Sequence, residues 1–99
     1  MRLEYESVEE LKTKLCEIVG RHVDLLQYKL FFFGSRVQGR GDDRSDIDVG
    51  IEGPERIPGH VMEKIREAIE NLPVLYKIDI VDFKDVSEDF RREALRASE

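Results

Sequence analysis

The sequence contains no tryptophan, a single cysteine, and fewer basic than acidic residues. With Cys16 alone, no internal disulfide can form. Lys and Arg number 16 against 22 Asp and Glu, which gives a formal net charge of −6. This balance argues against a dedicated nucleic-acid binder, whose surface normally carries a basic stripe. It does not exclude nucleotide binding, because a bound divalent cation reverses the local field.

Long apolar stretches are also absent. No run approaches the roughly 20 apolar residues of a membrane span, and the N-terminus lacks the apolar stretch of a signal peptide. We therefore expect a cytoplasmic protein that does not use a membrane. The 99 residues are enough for a single domain, residues 1–99, with a modest core and little room for a separate substrate domain.

The hydrophobic pattern predicts helix, strand, strand, helix, strand and helix, in that order. Ser7 followed by Glu10 indicates a capping box that opens a helix reaching about Gly20, and Ser87 is expected to cap the last helix. Strands are predicted over Tyr28–Phe33, Asp46–Ile51 and Leu75–Phe83, and a further helix is predicted over Val61–Leu72. We expect an α/β (α+β) domain, a small mixed sheet with helices packed on one face.

Three aspartates are the candidate catalytic and metal-binding residues. Asp46 and Asp48 flank Ile47 on a strand, so both carboxylates project from the same face. Neighbouring carboxylates repel unless a cation lies between them, and Mg²⁺ prefers oxygen ligands. Alternation on the third strand predicts that Asp79 shares this face, so that three carboxylates can hold two metal ions. Asp82 falls on the opposite face and is the lesser candidate.

The segment after the first predicted strand is the candidate phosphate-binding site. A strand that turns through Gly34 into a short helix presents free backbone N–H groups, which favour a phosphate. The Ser35 hydroxyl adds a hydrogen bond. Arg36, Arg40 and Arg44 are near in sequence, and any of them can pair with phosphate oxygens; Arg36 adjoins the turn. We therefore assign Gly34, Ser35 and Arg36 to nucleotide binding.

These motifs resemble a known family. The pair Gly34-Ser35, followed after ten residues by Asp46-Ile47-Asp48, is similar to the signature of the DNA polymerase beta-like nucleotidyltransferase superfamily. The local form Gly-Ser-Arg-x-x-Gly-x-x-x-x-x-Ser-Asp-Ile-Asp resembles its minimal nucleotidyltransferase (MNT) branch, and the likeness extends over nearly the whole chain.

The resemblance implies roles for these residues. Gly34 and Ser35 would hold the triphosphate of ATP, and Asp46 and Asp48 would bind two Mg²⁺ ions. Asp79 would help to hold the catalytic metal and assist deprotonation of the acceptor hydroxyl. One departure from the pattern is that many relatives carry Ala and Arg at positions 37–38, where this chain has Val and Gln. The missing Arg weakens phosphate contact without affecting the metals.

The resemblance also implies a partner. Members of the MNT branch are commonly paired with a HEPN-domain protein in prokaryotic toxin–antitoxin modules, where the transferase places AMP from ATP on a tyrosine of the toxin. By resemblance, the chain is an antitoxin that adenylylates a protein hydroxyl. The alternative is a non-catalytic module that neutralises a partner by binding alone. Transfer to an antibiotic or a nucleic acid is less favoured, and self-association stays open.

Overall fold

The computed structural model describes residues 3, 7–34, 37, 46–96 and 98. Its helices and strands follow the predicted order, with boundaries moved by a few residues. They are α1 (Val8–Gly20), β1 (Lys29–Phe33), β2 (Ile47–Glu52), α2 (Gly59–Glu70), β3 (Ile78–Asp82) and α3 (Glu88–Arg96). In the sheet, β2 lies between β1, to which it is antiparallel, and β3, to which it is parallel. None of these described helices is long and apolar enough to cross a membrane.

Side-chain caps fix the start of two helices as the sequence predicted. The Ser7 hydroxyl accepts a hydrogen bond from the Glu10 backbone N–H at 3.0 Å, and the Ser87 hydroxyl accepts one from the Phe90 N–H at 3.1 Å. Each cap satisfies a backbone donor that has no partner within the helix, and such a cap stabilises a helix by about 1 kcal/mol.

One face of the sheet forms the main hydrophobic core against α1 and α2. Ile47, Val49 and Ile51 alternate along β2 and are each fully buried on this face. Each such side chain contributes about 1.5–3 kcal/mol when it leaves water. The helices and flanking strands contribute a further set of buried residues, which includes Leu11, Leu15, Leu30, Phe32, Ile65 and Ile80.

The third helix lies on the other face of the sheet, which differs from the prediction that the helices share one face. Phe31, Phe33 and Phe83 point to this second face and form a cluster with Ala94 of α3. Phe83 packs edge-on against the other two rings, at centroid distances of 4.8 and 5.1 Å. Three aromatic side chains are costly to leave in water, so α3 covers them.

Gly50 allows this aromatic cluster to pack directly on β2. A Cβ atom at this position would lie 2.5 Å from Phe31 Cζ and 2.7 Å from Phe83 Cε1, closer than such atoms can approach. Because the strand carries no side chain here, the two rings can meet above its backbone.

Asp82, the lesser site candidate, joins two segments of the chain through hydrogen bonds. Its side chain is 2% exposed and lies on the core face, opposite Asp79. One carboxylate oxygen accepts the Ile57 backbone N–H at 2.8 Å, and the other accepts the Lys84 N–H at 3.0 Å. The carboxylate thereby ties the segment after β2 to the turn after β3.

Replacing Asp82 with Ala should lower the free energy of unfolding by about 1–3 kcal/mol, because the buried Ile57 N–H loses its acceptor. Urea denaturation of the wild type and the variant measures this difference. Asp89→Ala is the matched control, since the Asp89 side chain is 95% exposed. Equal stability losses in the two variants would contradict the structural role of Asp82.

Candidate functional site

Two of the predicted carboxylates lie side by side at one end of the sheet. The parallel register pairs Asp48 of β2 with Asp79 of β3, and the antiparallel register pairs Phe33 of β1 with Asp48 on its other side. Paired residues on adjacent strands project from the same face. Asp48 and Asp79 therefore share the face that carries α3, as the alternation of the sequence predicted.

A cleft of about 370 Å³ opens beside these two carboxylates. Its floor is the end of the sheet and its wall is α3. Asp48 is half-buried at the floor, whereas Asp79 is exposed at the mouth. The lining residues are Phe33, Gly34, Asp48, Asp79, Val81, Phe90, Glu93 and Ala94.

Gly34 brings the backbone against Asp48 at the end of β1. Its φ of 90° lies in the left-handed region that glycine adopts readily. A Cβ atom here would collide with the Asp48 carboxylate, with Asp48 Cγ only 3.0 Å away. Glycine is therefore required for the chain to leave β1 next to this carboxylate. Ser35 and Arg36, the other two residues assigned to nucleotide binding, lie outside the described residues.

Asp46, the third predicted carboxylate, faces a different depression. It precedes β2 and is exposed, and its Oδ2 lies 4.0 Å from the ammonium of Lys77. With Asp79 it lines a second hollow, of about 260 Å³, that also contains Arg66 and Glu70 of α2. Across 7–34 and 46–96, no three His, Cys, Asp or Glu side chains converge as a metal-binding group. Asp79 is the residue common to both depressions.

The pKa of Asp48 depends on its burial and on the charges of the other two aspartates. Burial raises the pKa of Asp48 above its usual value, and the negative charges of Asp79 and Asp46 raise it further. Desolvation and like charge both disfavour an ionised carboxylate. The arrangement therefore concentrates negative charge where a cation would be stabilised, beside a glycine turn that leaves room for a phosphate group.

Sequence reasoning did not assign the α3 wall of the cleft to the site. Phe90 is 45% exposed and packs against Phe33 and Phe83 at centroid distances of 5.9 Å, and Glu93 follows one turn later. Two phenylalanines of β1, Phe31 and Phe33, could have indicated this wall from the sequence. Phe31 and Phe33 share the face of Asp48, so apolar side chains from another element were needed to cover them. The mostly charged α3 supplies Phe90 and Ala94, which lie four residues apart.

The sequence of residues 28–99 matches the family described as "Polymerase beta, Nucleotidyltransferase". This span contains all three strands, the glycine turn and the three aspartates. The chain belongs to this nucleotidyltransferase family. The resemblance inferred from the Gly-Ser and Asp-x-Asp motifs is therefore confirmed, and so is the α/β fold class with a small mixed sheet, apart from the side on which α3 packs.

A named relative supports this family membership. The Haemophilus influenzae protein named "Probable protein adenylyltransferase MntA" is 30% identical over 86 residues, which cover 87% of this chain and 70% of the relative.

Solved structures show the same fold. A toxin–antitoxin structure with AMP-PNP superimposes with a TM-score of 0.70 at 18% identity, covering 89% of this chain and 69% of the other. A chain of the complex of tri-AMPylated Shewanella oneidensis HEPN toxin with MNT antitoxin superimposes with a TM-score of 0.60 at 16% identity, covering 92% and 68%. A candidate minimal nucleotidyltransferase gives a TM-score of 0.68 at 21% identity, covering 97% of both chains.

Replacing Asp48 with Asn should raise the melting temperature of the protein near pH 7. The folded-state pKa of Asp48 is raised, so the folded state holds this proton more tightly than the unfolded chain does. Stability therefore falls as the pH rises from the unfolded value of about 3.9 through the folded value. The neutral amide removes this loss.

Thermal melts of the wild type and Asp48→Asn at pH values of about 3.5 and 7 measure the effect. The gain of the variant should be present at the higher pH and shrink at the lower one. Asp89→Asn, a change at an exposed carboxylate outside the cleft, controls for the lost net charge. If Asp48→Asn melts at or below the wild-type temperature near pH 7, ionisation of Asp48 does not destabilise the folded state and the prediction is wrong.

Proposed function

We propose that this chain transfers AMP from ATP to a hydroxyl group of a partner protein and acts in the cytoplasm as the antitoxin of a HEPN/MNT pair. The observation that carries this proposal is the pairing of Asp48 with Asp79 in one cleft, with the Gly34 turn against Asp48. Family membership supports nucleotidyl transfer. The adenylyltransferase name of the Haemophilus influenzae relative supports AMP as the transferred group and a protein as the acceptor.

The donor groups of the cleft fit Mg²⁺. The cleft offers carboxylate oxygens and neither His nor Cys among its described lining, and hard oxygen ligands suit this ion. Mg²⁺ is usually held by one or two protein carboxylates together with substrate phosphates, so Asp48 and Asp79 suffice for a first ion. Asp46 would complete a two-metal site. When bound, the metal neutralises charge on the triphosphate and on the leaving group.

The proposed reaction is an in-line displacement at the α-phosphorus of ATP. The acceptor hydroxyl oxygen forms a bond to that phosphorus, and the bond from the phosphorus to the oxygen bridging to the β-phosphate breaks. Pyrophosphate leaves, and the hydroxyl proton passes to the exposed Asp79 carboxylate. Gly34, together with Ser35 and Arg36, would bind the triphosphate, because Gly34 places no side chain beside Asp48 and a glycine turn after a strand favours a phosphate.

Asp48→Asn and Asp79→Asn should each reduce AMP transfer by at least about 100-fold, since even the outer partners of metal ligands are worth 10–100-fold. The assay uses Mg²⁺ and α-phosphate-labelled ATP with the purified product of the gene adjacent to this chain's own. Asp89→Asn should transfer label at the wild-type rate. Omitting Mg²⁺ should abolish transfer in every sample.

The same samples separate catalysis from neutralisation by binding. Label on the partner with the wild type, and its loss in both aspartate variants, would support the adenylyltransferase. Full transfer by Asp48→Asn would contradict the proposed site. A tight complex with the partner but no label, even with the wild type, would favour a module that acts by contact alone.

A further inference from the structure

We infer that the acceptor protein docks as an extended segment on a groove between α2 and the outer edge of β3, and that this groove presents the acceptor hydroxyl to Asp79. The inference rests on the proposed function, and it identifies the surface and the kind of partner segment that the transfer uses. The α2–β3 groove comprises the hollow beside Asp46 and a contiguous second hollow of about 240 Å³. The two hollows share Ile69, Glu70, Lys77 and Ile78.

The groove lies beside the start of β3, an outer strand of the described sheet. The α2 residue Ile69 packs on the core face, whereas Asp79 points to the opposite face, and both line the groove. Asp46, which precedes β2, also lines it, and β3 is the outermost strand in the described sheet. The groove therefore lies at the end of the sheet where β2 and β3 begin, next to the free edge of β3.

The backbone of this edge is suited to an extended peptide. The Ile47 N–H donates to the Lys77 carbonyl and the Phe83 N–H donates to the Ile51 carbonyl, both at 2.9 Å. In a parallel pair the residues that bond to the neighbouring strand alternate, so the N–H and C=O groups of Ile78 and Ile80 point outward. Within the described ranges no strand pairs with them. An added strand would gain main-chain hydrogen bonds there.

The far end of the groove offers an apolar anchor point. The hollow there is lined by the side chains of Leu72, Val74 and Tyr76. Leu75, between Val74 and Tyr76 in the chain, is 76% exposed. An exposed apolar side chain beside an apolar hollow, next to an open strand edge, is typical of a surface that binds a peptide through backbone hydrogen bonds and side-chain pockets.

Continuity with the cleft identifies the occupant as the acceptor. Asp79 lines both the cleft and the groove. A segment on the edge of β3, anchored by an apolar residue near Leu75, would place a hydroxyl-bearing residue further along at Asp79. The partner segment is therefore an extended stretch of protein with an apolar residue at one end and a Ser, Thr or Tyr toward the other.

The test compares two exposed leucines at opposite ends of the sheet. Leu75 precedes β3 at the end that carries the aspartates, whereas Leu26, which is 96% exposed, precedes β1 at the other end. Asn at either position removes apolar contact without adding charge near Asp79. Calorimetric titration with the adjacent-gene product, without ATP, should show binding weakened about tenfold or more by Leu75→Asn and unchanged by Leu26→Asn.

Two further readouts locate the contact. Leu75→Asn should raise the KM for the acceptor protein and leave the KM for ATP unchanged. Hydrogen exchange of the Ile78 and Ile80 amides, followed by NMR, should slow when the partner binds. Wild-type affinity in Leu75→Asn, or protection confined to other residues, would overturn the inference while AMP transfer by the wild type continues. Absence of transfer by the wild type would instead overturn the proposed function, and the acceptor role of the groove with it.

Discussion

The parallel pairing of β2 with β3 is the constraint on which the rest of the structure depends. Its register places Asp48 beside Asp79. Because side chains alternate along a strand, a slip of β3 by one residue would turn Asp79 toward the core and Ile80 toward the cleft. Burial prevents this slip, since Ile47, Val49 and Ile80 all lie on the core face. The apolar core on one face thereby fixes the register of two carboxylates on the other face.

The second face of the sheet carries two different features in a small area. Near the end of the sheet it carries the paired carboxylates, and further along it carries an aromatic cluster that must be covered. α3 contacts both features, because Ala94 packs on the rings while Phe90 and Glu93 line the cleft. Asp48 is half-buried on this face, and both its burial and the neighbouring negative charges disfavour its ionised form. A protein selected for stability alone would have little reason to retain that charge, whereas a cation-binding site requires it.

Sequence alone predicted the elements and the shared face of Asp48 and Asp79, because both follow from local alternation. Ser7 and Ser87 identified helix starts for the same reason: a cap is a short-range interaction. The side of the sheet that α3 covers was not predicted, since it depends on which face retains uncovered aromatic rings after α1 and α2 have packed. Asp46 stays a predicted member of the site: its charge helps to raise the pKa of Asp48, and its carboxylate lies 4.0 Å from the Lys77 ammonium.

The position of Asp79 between two depressions bears on how the proposed reaction is organised. An in-line displacement needs the attacking and leaving oxygens on opposite sides of the phosphorus. A single cleft would require both substrates to enter by one mouth. Here the cleft lies beside α3, the α2–β3 groove lies between α2 and the start of β3, and Asp79 lines both. In the proposed arrangement the nucleotide occupies the cleft and the acceptor hydroxyl arrives from the groove.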